Sequence, residues 1–186
     1  MIHFKSIVGL AAGVILTAAC QSDKYHIKGE ARHLPDGSVL YLTDDLNTGR
    51  RLLDSVVVSN GRFSGSGLTD STFICKLFPK GQLQQGVIFF LEPGNIYVEL
   101  SAVPSRSRVS GTVINNRWQA LNDSVAKYDL RIRNVVRLTN DSLNPRQLSA
   151  DVNRLYKGIT THIKETAIRN KDNALGHFIS THYQGD

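Results

Sequence analysis

The side chains of this sequence that could do chemistry are few and scattered. Its two cysteines, Cys20 and Cys75, form no Cys-x-x-Cys spacing, so the chain carries no recognisable redox pair. Cys75 lies in Phe73-Ile74-Cys75-Lys76-Leu77, where alternation sets it beside Phe73 and Leu77. That is the place of a small, buried and inert thiol. His177 and His182 are five apart rather than four, and no His-Glu-x-x-His occurs. His26, His33 and His162 are isolated, so no zinc site is expected. Asp44, Asp45 and Asn47 invite a calcium loop, but Gly49 is misplaced for an EF-hand and no closing Glu follows. Gly65-Ser66-Gly67 is not a Gly-x-Ser-x-Gly nucleophile elbow, and Gly-rich phosphate loops are absent. Arg131, Arg133 and Arg137 read as the solvated face of a helix. Two acids remain as a candidate ligand or structural polar site. Asp54 sits in an apolar run, where a carboxylate costs several kcal/mol unless hydrogen-bonded or solvated. Glu92 stands at a turn whose amides it can accept from. No catalytic residue, metal or cofactor is read from this set.

The elements that must position these residues change character at Thr112. Before it, short β-branched and aromatic runs alternate with turn residues. They are Tyr25 to His33, Ser38 to Thr43, Leu52 to Ser59, Gly61 to Gly67, Thr72 to Phe78, Val87 to Leu91, Ile96 to Leu100 and Ser107 to Thr112. Asn60-Gly61 is a two-residue type I′ signal, where both residues take positive φ. Pro93-Gly94 predicts that Val87–Leu91 and Ile96–Leu100 pair as a hairpin, with the first run, apolar on both faces, central in its sheet. About eight short strands at even spacing imply an antiparallel β-sandwich or barrel.

After Thr112 the period becomes helical. Trp118, Leu121, Val125, Tyr128, Ile132 and Val135 form one stripe, with Asn115 or Asn116 as its cap. Asn144-Pro145 opens a second helix striped by Leu148, Val152, Leu155, Ile159, Ile163 and Thr166. Asn173 caps a short third helix carrying Leu175, Phe178 and Ile179. The expected class is α+β, mainly β: an antiparallel β domain over 24–112, then a helical hairpin and a short C-terminal helix over 113–186.

The N-terminus supplies an address. Lys5 precedes the uncharged apolar run Ile7 to Ala19, which is short for a membrane span and reads as a secretory signal. Thr17-Ala18-Ala19 before Cys20 resembles a lipobox, the bacterial lipoprotein processing signal, and departs from it at Thr17, where Leu, Val or Ile is usual. The resemblance implies cleavage after Ala19, acylation of Cys20, and residues 20–23 as the link to the fold. More than one acyl chain gives stable anchoring. The expected place is the envelope of a Gram-negative bacterium, in the outer rather than the inner membrane. Loss of residues 1–19 removes Lys5 and no acid, so the +6 of the whole chain becomes 21 − 16 = +5. A charge this modest and dispersed is no nucleic-acid footprint.

Tyr25-His26-Ile27-Lys28-Gly29, Asp36-Gly37, Leu53-Asp54-Ser55-Val56, Asn60-Gly61-Arg62-Phe63, Phe90-Leu91-Glu92-Pro93-Gly94-Asn95 and Val109-Ser110-Gly111-Thr112 resemble a domain of unknown function that begins many envelope thiol-disulfide oxidoreductase lipoproteins. In that family the domain precedes a helical segment and a thioredoxin-like domain of the peroxiredoxin/TlpA type. Asp172-Asn173-Ala174-Leu175-Gly176 resembles the segment shortly before the thioredoxin part. No Cys-x-x-Cys follows here, and no redox residue carries over. The resemblance implies a non-catalytic envelope module that binds a partner protein or acts as a spacer. Its rivals are the N-terminal piece of an oxidoreductase and a receptor for a glycan or other small ligand.

Overall fold

A computed structural model describes residues 23–44, 46, 51–139 and 145–183. Cys20, Asp45 and Asn47 therefore lie outside the described residues. Eight strands, β1 Lys24–Glu30, β2 Val39–Thr43, β3 Leu52–Val57, β4 Arg62–Leu68, β5 Phe73–Pro79, β6 Val87–Leu91, β7 Gly94–Glu99 and β8 Arg108–Ser110, precede helices α1 Val113–Thr139, α2 Pro145–Arg169 and α3 Ala174–His182. The strands form two sheets, ordered β4-β1-β7-β8 and β3-β2-β5-β6. They face each other as a sandwich and do not close into a barrel. Sheet pairing is antiparallel except between β1 and β7, which run parallel.

The expected hairpin of β6 and β7 does not form. β6 belongs to one sheet and β7 to the other, and the chain crosses between them at Pro93-Gly94, with Gly94 at φ 123°. Burial explains the split. Val87, Phe89 and Leu91 of β6 point into the sandwich, while Phe90 on its other face meets Trp118 and Phe178 edge-on at 6.1 Å each. β7 is apolar on one face only: Ile96 and Val98 are buried, and Asn95, Tyr97 and Glu99 are exposed. Pairing the two would place those polar residues under the helices, an unfavourable burial.

β6 is also not central. It is the edge of its sheet, and its free side is closed by α1. Asn115, fully buried, accepts from Phe90 N at 2.8 Å and donates to Phe90 O at 2.8 Å, as a neighbouring strand would. Trp118 Nε1 donates to Ile88 O at 2.9 Å. On the opposite sheet, Gln119 Oε1 accepts from Val109 N at 2.8 Å and Asn116 Oδ1 from Gly111 N at 3.0 Å. Asn115 and Asn116 are therefore edge partners rather than caps of α1. One helical turn satisfies backbone groups at the adjacent edges of both sheets, the liability that open strands present.

The Asn60-Gly61 turn has its expected backbone, φ 53° and 68°, and Ser59 and Arg62 exchange both backbone bonds at 2.8 and 3.0 Å. That single rung is the whole hairpin, because β3 and β4 then part into different sheets. Outside the sandwich, Trp118, Phe178, Leu175 and Ile179 pack on β5 and β6 as a third layer. Asn173 caps α3 as expected, accepting from Leu175 N at 3.0 Å and Gly176 N at 3.3 Å. Beyond Val125, the α1 and α2 stripes pack on each other: a Cβ added at Gly158 would stand 2.9 Å from the Tyr128 ring. Among the described residues, no helix is long and apolar enough to cross a membrane.

Candidate functional site

The outer face of the β4-β1-β7-β8 sheet is uncovered, and its register sets side chains in rows. One row runs Arg62, Glu30, Glu99, Arg108 across the four strands. The next runs Ser64, Lys28, Tyr97, Ser110, and a third Ser66, His26, Asn95. All arise from the period-two alternation that sends Tyr25, Ile27, Ile96 and Val98 inward. Between the first two rows and α1 lies an open groove of about 560 Å³, with Lys28, Tyr97, Glu99, Arg108 and Gln119 in its lining.

The charges in this groove are unevenly matched. Glu30 pairs with Arg32 at 2.8 Å and, more loosely, with Arg62 at 3.8 Å. Arg108 turns away from its register partner Glu99 to Asp123, at 2.6 Å. Asp123 is itself held by Gln119 Nε2 at 2.9 Å, and Gln119 is fixed by Val109 N. The side chains of Lys28, Tyr97 and Glu99 are left without a hydrogen-bond or ion-pair partner among the described residues. Tyr97 is 50% exposed. Its ring lies over Gly111, where a Cβ would approach Cδ2 to 2.8 Å and Asn95 O to 2.2 Å. Gly111, at φ 106°, thus leaves room for the ring beside it. An exposed aromatic plane flanked by an ammonium and a carboxylate can stack on an apolar ligand face and exchange hydrogen bonds with its hydroxyls or amides.

The residues singled out from sequence fall elsewhere. Asp54 Oδ1 accepts from Ser55 N at 2.7 Å, so its carboxylate serves its own strand. Burial first, and the Asp54 carboxylate second, push the Tyr25 phenol above its ordinary range. Glu92 stands at the sheet crossing with Oε1 buried and no hydrogen-bond partner among the described residues. Asp44 meets Arg51 at 3.2 Å, and its Oδ1 is likewise buried without a partner. Neither Asp54 nor Glu92 lines the groove. Among the described residues no cluster of three His, Cys, Asp or Glu could hold a metal.

Cys75 is fully buried opposite Phe89, and burial pushes its thiol well above the ordinary value. His182 stacks on Phe178 at 4.2 Å. Gly65 and Gly67 are packing residues: a Cβ there would meet Val56 Cγ1 at 2.7 Å and Tyr25 Oη at 2.6 Å. Sequence reading missed the groove because its rows exist only once three strand registers are known. The one local signal was the polar face of Asn95, Tyr97 and Glu99.

No curated protein matches the chain. A family profile described as Domain of unknown function (DUF4369) matches residues 25–118, half of the chain. The matched span ends at Trp118 and so takes in Asn115, Asn116 and Trp118 along with the strands they close. The chain belongs to the DUF4369 family.

Proposed function

We propose that this chain is a non-catalytic binding module of the cell envelope, tethered by an acylated Cys20, and that the groove on the β4-β1-β7-β8 sheet receives its ligand. The observation that carries the reading is the unpaired trio Lys28, Tyr97 and Glu99 on a rigid, uncovered sheet. Rigid placement on strands lowers the ordering cost of binding. A stacking ring between opposite charges suits a glycan or another polyhydroxylated small ligand better than a fatty or purely anionic one. The signal-like segment and the residues before Cys20 support the envelope tether.

Glycan-array screening of the purified chain, with Tyr97→Ala and Lys28→Ala beside it, tests the groove. The expected result is a saccharide class retained by the parent chain and lost at least about tenfold by Tyr97→Ala, the range of a buried stacking contact. Binding that both variants keep intact overturns the assignment to this groove. Palmitate labelling in a bacterial host tests the tether: label that persists in Cys20→Ser refutes it.

A further inference from the structure

Two of the four sheet edges are closed by α1, and β4 presents Gly65 and Gly67 in the middle of a third. The fourth edge, β3, is different. It carries Leu52, Leu53 and Val57 at 50, 38 and 57% exposure, and no strand among the described residues pairs with its outer side. Val58 N donates to Ser38 O of the neighbouring segment. Antiparallel alternation therefore sends the backbone groups of Asp54 and Val56 toward β2, and those of Leu53, Ser55 and Val57 to the open side. The Ser55 amide fits this, since it goes to the Asp54 carboxylate rather than into the ladder.

We infer that β3 is a self-association edge, where a second copy of this chain pairs antiparallel about a two-fold axis through Ser55. The strand is self-complementary in that register. Ser55 meets Ser55 of the other copy, and Leu53 meets Val57 twice, so two exposed apolar pairs flank a hydroxyl pair on one face. On the other face Asp54 meets Val56, and no like charges are opposed. Shifting the axis to Asp54 would oppose two carboxylates, which selects the Ser55 register. The outward backbone groups of Leu53, Ser55 and Val57 are those that this register uses. Asp54 competes with the dimer, because the Ser55 amide must leave its carboxylate to join the new ladder. The carboxylate thus restrains an edge that is otherwise ready to pair.

Sedimentation equilibrium of the full chain carrying Cys20→Ser, which removes any acyl chain, tests this up to about 100 μM, within the range of weak, small interfaces. The expected result is a reversible dimer. Val57→Lys, at an exposed position, should leave it monomeric with an unchanged circular dichroism spectrum. Asp54→Ala should tighten association about 25-fold, roughly fivefold for each of the two hydrogen bonds released, one in each copy. Ser55→Cys should cross-link to itself under mild oxidation, whereas Ser66→Cys on the outer face of the other sheet should not. A monomer throughout the range overturns the inference, as does a dimer indifferent to Val57→Lys. A Ser55→Cys chain that dimerises without cross-linking refutes the register.

Discussion

Replacing Asn115 by Ala tests whether the start of α1 acts as a substitute strand. The substitution removes three hydrogen bonds, two to Phe90 at 2.8 Å and one to Thr112 Oγ1 at 2.8 Å. Phe90 and Asn115 are both fully buried, so the orphaned amide and carbonyl of Phe90 have no ready access to water. Each buried group left unpaired costs about 1–3 kcal/mol, giving about 2–6 kcal/mol for the two. Relaxation at the helix start and entry of a water reduce this, and about 3 kcal/mol is the working figure. With a urea m-value of about 2 kcal/mol/M, the midpoint should fall by about 1.5 M with m unchanged. Asn116→Ala is the internal control, because its partner, the exposed Gly111 amide, can turn to solvent. It should cost less than about 1 kcal/mol. Urea unfolding followed by circular dichroism reads both. Equal losses in the two variants, or a loss below about 1 kcal/mol for Asn115→Ala, would refute the edge-closing argument.

Gly176→Ala sets helix propensity against contact. Alanine gains up to about 1 kcal/mol in a helix, but the new Cβ would stand 2.0 Å from Asn170 O. The backbone clash should win by about 2 kcal/mol or more, seen as a lowered melting temperature. Cys75 should resist thiol reagents in the folded chain and react at the rate of unfolding, since it is fully buried and its thiolate is disfavoured. Its raised value also means that its share of stability is complete below the ordinary thiol range and is lost as pH rises toward the folded value. Burial raises Tyr25 in the same sense, while Lys76, lowered by burial, gains stability as pH rises. The slope of stability against pH above 9 should flatten in Cys75→Ala, measured by urea titration at each pH. A chain cut after Thr112 should aggregate faster than one cut after Ser124: both lose the α3 side chains that cover β5 and β6, but only the second keeps those that close the β6 and β8 edges. Light scattering distinguishes the two.

Most single elements were legible because their signals are local. Asn60-Gly61 demanded positive φ at both residues and has it, and Asn173 offered a carboxamide where α3 begins. The helical stripes led by Trp118 and Leu148 gave α1 and α2, and alternation gave every strand within a few residues. Strand partnership was not legible, because alternation reports which faces are apolar and not which strand lies alongside. The clue was present in β6, whose two apolar faces need two covering layers, beside β7, whose single apolar face needs one. Asn115 and Asn116 looked like caps since the same carboxamide serves a helix start or a strand edge, and only the fold decides. Asp54 was recognised as costly in its strand, but its partner, the next amide along, required knowing that β3 is an edge.

The placement of Asn115, Asn116, Trp118 and Gln119 also bears on the order of synthesis. A chain delivered from its N-terminus presents β6 and β8 before the residues that shield them. Until that first turn of helix arrives, both sheets stay open to pairing with any passing extended segment. For β8 the vulnerable interval is a handful of residues, since Gln119 soon follows Ser110, whereas β6 must wait from Leu91 until Asn115 emerges.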